Sequence, residues 1–430
     1  MGKWLRQYFE VASLSREIFA GFTTFLTMAY IVMVNPLLLK DAGLNPEAVF
    51  VATCLISALA SIAMGLYANY PIAVAPGLSM ATYFSYVVVG QMGYSWQIGL
   101  GAIGIAGILF LLVSLLKLRA YIIEAIPECL KIALTCGIGL FIAMIAMKNA
   151  QIINIVPSKL IEWNQPLSPP AIFTYLGVML IAAFSYFRVP GAILITMLSL
   201  TVLGGLYDMT TYHGILSLPP SLNPTLFSLR FPSELWNINY WNIVLSIFFV
   251  AFFDSTGTLL GLLYQAGMPT TGKDPRFAKA LTVDSSASIL GACMGTATVG
   301  AYIENAAGVA VGGRSGLTAI VVGSLFLSAL FLSPLTQTIP SFATASALLF
   351  VAYLMLQNIR RVNWRDPAAL ASTLVTITIM PLTFSIAYGI ASGFLVYLVT
   401  RSIQGQLRAI SNWQWMLGGL FFSYMLIKFF

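Results

Sequence analysis

Long apolar runs separated by short polar stretches recur from one end of the chain to the other. A membrane-spanning helix needs roughly 20 mostly apolar residues. Runs of that kind fall at 17–39, 46–67, 73–90, 96–116, 124–147, 171–187, 190–207, 240–263, 279–295, 299–313, 315–334, 341–358, 367–384 and 386–402, with a further apolar segment at 413–430. The loops between them leave no room for a soluble domain. The longest, 208–238, carries His213 and a Pro/Ser/Leu-rich run, and it separates two groups of seven spans. An odd number per group inserts the second group upside down relative to the first, as in inverted-repeat transporters. The pattern therefore predicts an all-α polytopic membrane protein of 14 transmembrane segments arranged as a 7+7 inverted repeat. Its parts are a cytoplasmic amphipathic lead-in (1–16), a first repeat (17–207), an extracellular connection (208–238), a second repeat (239–403) and a C-terminal apolar segment (404–430).

Two spans depart from plain helix. The third, PIAVAPGLSMATYFSYVVVG, has Pro76-Gly77 near its middle, and the tenth, GTATVGAYIENAAGVAVGG, is short and glycine-rich. Proline removes a backbone donor and glycine weakens helix, so each segment is expected to be extended first and helical afterwards. Irregular backbone at membrane depth survives only where protein or a wet cavity satisfies its polar groups. Broken spans at matching positions therefore point to a binding site. Pro and Gly also kink or pack ordinary membrane helices, but that alternative does not account for a matched pair with a carboxylate in one member.

Composition agrees: of 430 residues, 59% are hydrophobic and 8% charged, with mean hydropathy +0.89. The net charge of +7 is dispersed, which argues against nucleic acid as a partner. With the N-terminus inside, cytoplasmic loops receive Lys117, Arg119, Arg188, Lys273, Arg276, Lys279, Arg314, Arg360, Arg361, Arg365, Arg401 and Arg408, while outer loops keep Lys40, Lys148, Lys159 and Arg230. That asymmetry follows the positive-inside rule. The first residues are broken by Lys3, Arg6, Glu10, Arg16 and Glu17, which suits a lead-in lying at the membrane surface. Cys54, Cys129, Cys136 and Cys293 lack metal-ligand spacing and read as small buried thiols. No GxxxxGK[ST] run is present, so ATP-driven pumping by this chain is not expected.

Against this apolar background, Asp254 and Glu304 stand out, because an ionisable group at bilayer depth costs about 2.5–3.5 kcal/mol on insertion scales. Asp254 lies in the eighth span near Ser255, Thr256 and Thr258, with Gly257 and Gly261 keeping its face open for a ligand. Glu304 lies in the broken tenth span, where backbone N–H groups freed at a half-helix start are expected to act as donors. Donors together with carboxylates suit a neutral, flat, polar heterocycle, with one or both acids carrying a co-transported proton. His213 falls in an outer loop, so no histidine relay is expected. Asp284 reads as a capping or inter-helix hydrogen-bonding residue, and Glu124, Glu128 and Lys131 as structural. Thr23, Thr24 and Thr27 either line the cavity or bond back to their own helix. Tyr83, Phe84 and Tyr86 either stack on a planar ring or pack. An intramembrane enzyme, with Asp254 and Asp284 as a dyad, is disfavoured by the lone His and the scattered Cys.

Several stretches resemble one known family, the AzgA-like purine permeases: GFTTFLTMAYIVMVNP (21–36), APGLSMATYFSY (75–86), IPECLKIALTCGIGLFIAMIAMKNAQII (126–153), DSTGTLLG (254–261), TATVGAYIENAAGVAVGGRSGLTAI (296–320) and MPLTFSIAYGIASGF (380–394). The resemblance covers about Glu17 to Ile403 and rests on the number and order of these stretches. It implies a nucleobase–cation symporter of the uracil-permease fold that carries hypoxanthine, guanine, adenine or xanthine. It also implies a substrate-holding core and a gate domain, with short antiparallel strands in the third and tenth spans. The family's eighth-span Asp falls on Asp254 and its tenth-span Glu on Glu304. The expected substrate site is Asp254, Glu304, Ile303, Asn305, Ala81, Thr82, Tyr83, Thr27, Gly257 and Thr258, with Asp254 and Glu304 also serving proton coupling. Where family members usually carry Asn in the third-span motif, this chain has Ala81, and Asn305 beside Glu304 is a candidate to supply the missing amide. The expectation is proton-driven nucleobase import through the cell membrane, without cofactor, metal site or nucleic acid. Sodium coupling, facilitated diffusion of another heterocycle, an anion carrier of the sulfate-transporter fold and a homodimeric assembly remain open.

Overall fold

The computed structural model describes residues 13–116, 127–154, 162–233, 238–268, 275–383, 386–407 and 410–429. Most of the lead-in, together with Lys117, Arg119, Glu124, Lys159, Lys273 and Arg408, lies outside the described residues. In chain order the helices are α1 (Leu14–Met28), α2 (Ile31–Lys40), α3 (Pro46–Ala63), α4 (Leu78–Thr82), α5 (Trp96–Leu115), α6 (Glu128–Asn149), α7 (Pro169–Tyr186) and α8 (Ala192–Leu206). They continue with α9 (Ile238–Gln265), α10 (Pro275–Met294), α11 (Asn305–Ala310), α12 (Gly316–Ala329), α13 (Ser333–Thr338), α14 (Ser341–Leu356), α15 (Pro367–Thr383), α16 (Ile386–Ile403) and α17 (Asn412–Phe429). The strands are β1 (Val74–Pro76), β2 (Ile153–Asn154), β3 (Glu162–Trp163) and β4 (Val299–Ala301). Among the described residues eight helical stretches are long and apolar enough to cross a bilayer, and four shorter apolar helices accompany them.

The fold is therefore mostly helical rather than all-α. Strands β1 and β4 fall inside the two spans whose Pro and Gly content forbids continuous helix. The small β2–β3 pairing, Ile153 with Trp163 and Asn154 with Glu162, had no counterpart in the sequence reading.

The chain forms two compact units, each assembled from separated stretches: Met1–Leu115 with Met179–Thr344, and Leu116–Val178 with Ala345–Phe430. In the second unit, Ile132, Ala133 and Cys136 of α6 pack with Val362, Ala369 and Ile377, and Arg401 pairs with Asp366 at 2.6 Å.

Local chemistry sets the helix ends in the first unit. Asn45 caps α3, its Oδ1 accepting from the Glu47 and Ala48 amides at 3.0 and 3.1 Å, with Pro46 pre-set at the first helical position. After α3 the helix widens into a π turn, Met64–Ala68, and stops at Asn69, whose φ of 51° is left-handed. The Asn69 Oδ1 then accepts from the Gly316 amide at 2.8 Å.

Glu17, expected at the membrane surface, is instead buried and completes the same helix start. Its carboxylate accepts from the Arg314 amide at 3.1 Å, the Ser315 amide at 3.3 Å and the Thr318 hydroxyl. With Ser315 Oγ accepting from the Leu317 amide at 3.3 Å, four consecutive amides at the start of α12 end on side-chain oxygens. An acid there also complements the helix dipole.

The described part of the long connection, 208–233, contains no helix or strand but is pinned to its surroundings. The Thr225 hydroxyl donates to Met294 O at 2.8 Å, the Arg230 amide to Gln97 O at 2.9 Å, and the Ser217 amide to Phe331 O at 3.0 Å. His213 is exposed.

Candidate functional site

The site is organised by the antiparallel pair β1–β4, in which Val74 faces Ala301, Ala75 faces Gly300 and Pro76 faces Val299. Two isolated three-residue strands need outside support. Each gets it from a serine on the preceding helix, because a hydroxyl both donates and accepts. Ser61 of α3 accepts from the Val74 amide at 3.0 Å and donates to the Val74 carbonyl at 3.1 Å. Ser288 of α10 does the same for Val299, at 3.0 and 3.1 Å. The Gly77 amide adds a bond to Thr298 O at 2.8 Å. Gly300 lets α9 come close, since a Cβ there would lie 2.7 Å from Ser255 Oγ.

The chain breaks leave fewer free groups than the sequence reading expected. The Tyr302 hydroxyl donates to the Pro76 carbonyl and lies within reach of the Leu78 amide at the start of α4. Before α11 the backbone turns tightly. The amides of Asn305, Ala306 and Ala307 donate to the carbonyls of Tyr302, Ile303 and Glu304 at 3.1, 2.9 and 3.0 Å. The donors expected at this half-helix start are thus spent on its own turn.

Glu304 sits at that turn, half-buried. Its Oε1 accepts from the Tyr30 hydroxyl at 2.5 Å, and its own amide lies against its carboxylate. Tyr30, 1% exposed, occupies the tight turn between α1 and α2, where the Val32 and Met33 amides reach back only three residues. Thr27 Oγ1 bonds its own helix at Thr24 O, 2.8 Å away, and touches Glu304 O at 3.3 Å. Gly308 lets α11 press on α1, because a Cβ there would fall 2.0 Å from Thr24 Oγ1.

Asp254, on α9, is also half-buried, and no described residue hydrogen-bonds its carboxylate. Beside it the space is open: a Cβ added at Gly257 or at Gly261 would meet nothing within 4 Å. The Asp254 charge acts on Glu304, on Tyr302 and on Asp284. The two acids singled out from the sequence therefore share one neighbourhood, without bonding each other directly.

Asp284 does not cap a helix; of the two roles expected of it, capping or inter-helix bonding, only the second is left, with Ser255 of α9 as its neighbour. It lies inside α10, fully buried, with neither carboxylate oxygen hydrogen-bonded and with Ser255 and Asp254 beside it. A buried carboxylate without hydrogen bonds is costly. That makes Asp284 a part of the acidic cluster that the sequence reading undervalued.

The sequence model of the Permease family, the xanthine/uracil permeases, matches residues 15–392. The chain belongs to this family. It is 43% identical over 396 residues to the adenine permease AdeP of Escherichia coli, covering 92% of this chain and 89% of that one. It is 38% identical over 405 residues to the guanine/hypoxanthine permease PbuO of Bacillus subtilis, covering 93% and 94%. Among solved structures, the transmembrane domain of the cyanobacterial bicarbonate transporter BicA superposes with a TM-score of 0.65 at 15% identity, covering 90% of this chain and 97% of that domain. At that identity the likeness is one of fold alone. The protein is a transporter, not an enzyme.

Within this permease the remaining expected site residues are placed as follows. Ile303 is half exposed and Thr258 half-buried, both near the acids in sequence. Ala81 is fully buried in α4, and the Thr82 hydroxyl is tied to Leu78 O at 2.8 Å. Tyr83 is buried with its hydroxyl beside Ser246, Phe84 lies against Gly99, and the Tyr86 hydroxyl donates to Asp41. Asn305 does not present a spare amide in place of the one lost at position 81. Its Oδ1 accepts from the Ala73 amide at 2.7 Å, and its Nδ2 donates to Ala73 O at 2.9 Å and Tyr302 O at 2.7 Å. It braces the approach to β1. Sequence reasoning missed Tyr30, Tyr302, Ser61 and Ser288. Tyr30 stands inside the quoted stretch GFTTFLTMAYIVMVNP, so its place in that motif was an available signal.

Proposed function

We propose that this permease imports a purine nucleobase across the cell membrane by proton symport, with Asp254 and Glu304 binding the base and carrying the proton. The observation that carries the reading is the Asp254 carboxylate. It stands half-buried without a hydrogen-bond partner among the described residues, next to open space at Gly257 and Gly261, and in electrostatic reach of the Tyr30-bound Glu304. An acceptor of that kind suits the ring N–H or exocyclic amine that every purine base presents in its plane. Relatives named for adenine and for guanine/hypoxanthine give the substrate class its support.

The finer architecture follows the same reading. Fourteen spans in two inverted groups of seven are consistent with the matched serine clasps on β1 and β4. A substrate-holding core corresponds to the unit that contains both strands, and the gate to the other. The N-terminus lies in the cytoplasm. With Ala81 lacking an amide and the Asn305 amide engaged, discrimination among bases falls to Asp254, Glu304 and the exposed Ile303. An anion carrier is disfavoured because clustered carboxylates repel an anion.

Uptake of labelled adenine and hypoxanthine into cells devoid of other purine permeases tests the proposal, with a purine and pyrimidine panel as competitors and a protonophore as control. Accumulation that competing purines suppress and the protonophore abolishes is expected. Absence of purine uptake would refute the substrate class. Uptake that survives the protonophore and requires sodium would replace the coupling ion.

A further inference from the structure

The family reading gives Glu304 a proton to carry but does not say on which oxygen. The geometry around Tyr30 does. Oε1 of Glu304 accepts a hydrogen bond from the Tyr30 hydroxyl, 2.5 Å from oxygen to oxygen, and Tyr30 is 1% exposed, in the turn between α1 and α2. A phenol that donates to a carboxyl oxygen keeps its own proton and leaves that oxygen an acceptor in both charge states of the acid. The Tyr30 hydroxyl does not occupy the other oxygen, Oε2.

We propose that Tyr30 is a positioning residue that reserves Oε1 as a permanent acceptor, so that the coupled proton is taken up and released at Oε2 and a bound base meets Oε2. On uptake an O–H bond forms at Oε2 with a proton from the outer solution. On release that bond breaks and the proton leaves with the base on the inner side, while Tyr30 is never deprotonated. The titratable groups facing this pair are Tyr302, beside both Tyr30 and Glu304, and Asp254 on α9. Asp284 acts on it through Asp254. From α1 the contact is the uncharged Thr27 hydroxyl on Glu304 O. Glu304's own amide also lies against its carboxylate but is unchanged by substitution at Tyr30, so the comparison of Tyr30 variants reads the contribution of the Tyr30 hydroxyl to the assignment of the two oxygens.

The inference depends on the proton-coupled reading above, and the experiment separates the two. In proteoliposomes containing wild type or Tyr30→Phe, purine uptake is measured against external pH. The phenyl ring fills the same space, so the change removes one hydroxyl. Because donation to a carboxylate favours its charged form, losing the donor lets Glu304 hold its proton at higher pH. The half-maximal pH of uptake should move about one unit in the alkaline direction, the scale of one charge-assisted hydrogen bond.

A second measurement does not depend on transport: binding of labelled adenine or hypoxanthine to purified Glu304→Gln and to the double variant Tyr30→Phe/Glu304→Gln. Gln imitates the protonated acid. With Tyr30 present its carbonyl is held toward the hydroxyl and its NH₂ toward the base. Without Tyr30 the amide is free to flip, and affinity should fall about tenfold between these two variants, as for loss of one oriented hydrogen bond in a buried site. Proton-driven wild-type uptake with a Tyr30→Phe profile that superposes on it, or equal base affinity in the two glutamine variants, overturns the role of Tyr30 alone. Wild-type uptake indifferent to protons overturns both readings.

Discussion

Asn305 separates two accounts of the site. If its amide braces the strands, then Asn305→Ala harms the ligand-free protein; if it reads the base, the variant harms binding only. The structure favours bracing. The side chain is fully buried and makes three hydrogen bonds, to Ala73 N, Ala73 O and Tyr302 O, at 2.7, 2.9 and 2.7 Å. Alanine strips both Ala73 groups of these partners at a residue with no exposed surface, whereas the Tyr302 carbonyl keeps its bond from the Asn305 amide at 3.1 Å. Each orphaned buried group costs about 1–3 kcal/mol, so two put the loss on the order of 2–6 kcal/mol. The assay is thermal unfolding of the purified protein in detergent without base, paired with equilibrium binding of labelled adenine or hypoxanthine. A fall in the apparent Tm on the order of 5 °C or more is expected. Asn305→Asp should fall comparably, because it still accepts from Ala73 N but sets an acceptor against two carbonyls. A ligand-free Tm within about 1 °C of wild type, together with a tenfold or greater loss of base affinity, would refute bracing and return Asn305 to the ligand.

Three further outcomes follow from the same geometry. Asp254→Asn should abolish accumulation of purine without lowering the ligand-free Tm, because the carboxylate it replaces makes no hydrogen bond among the described residues; parallel uptake and melting curves check this, and a structural anchor would lose both. Glu17→Ala leaves the Arg314 and Ser315 amides and the Thr318 hydroxyl without their acceptor and should destabilise the permease on the order of 3 kcal/mol, read as a lower Tm with uptake per folded molecule retained. Ser61→Ala and Ser288→Ala each remove the two bonds that hold a strand's first residue and should each cost about 2 kcal/mol; their combination should deviate from additivity because both act on one ladder, which a double-mutant cycle of melting temperatures would reveal.

What the sequence disclosed follows from how local each signal is. Pro76-Gly77 and the glycines of 295–313 announce broken helices because their effect is intrinsic to the backbone at that point, and the strands appear there. Asp254 and Glu304 are conspicuous because charge is rare in such a chain, and Gly257 and Gly261 do leave open space beside the first. The groups that were missed act across the fold. A tyrosine in an apolar span looks like packing until its partner, 274 residues away, is known. Ser61 and Ser288 look like serines bonded to their own helix, the usual state in membranes. Glu17 sits next to Arg16 in a polar-looking start and reads as surface, whereas its acceptors serve amides about 300 residues on. Asp284 sits in LTVDSSASILG, polar enough to suggest a helix end, although the structure buries it mid-helix.

The two strand clasps also bear on why the site has a direction. Ser61 holds Val74 and Ser288 holds Val299 by the same pair of bonds. Counting from these fixed points, four residues before the clasp serine stands Ser57 in one case and Asp284 in the other. Five residues beyond the clasped valine stands Ser79 in one and Glu304 in the other. Ser57 Oγ and both Asp284 oxygens are alike buried and without hydrogen bonds, so the positions are alike in environment and differ in charge. The frame is duplicated, but the acids stand on one side of it only. On the proposed function, a planar base presented to such a frame would meet carboxylates along one edge and neutral hydroxyl or apolar groups along the other, which would fix its orientation electrostatically even where few hydrogen bonds are made. Moving one acid to the matching position of the other side should therefore not conserve function. The exchange Glu304→Ser with Ser79→Glu keeps composition and net charge, yet it removes the carboxylate from the position at which the Tyr30 hydroxyl holds it. Purine uptake should be lost while the protein still folds, and uptake retained by that double exchange would show that total charge, not its side, governs the site.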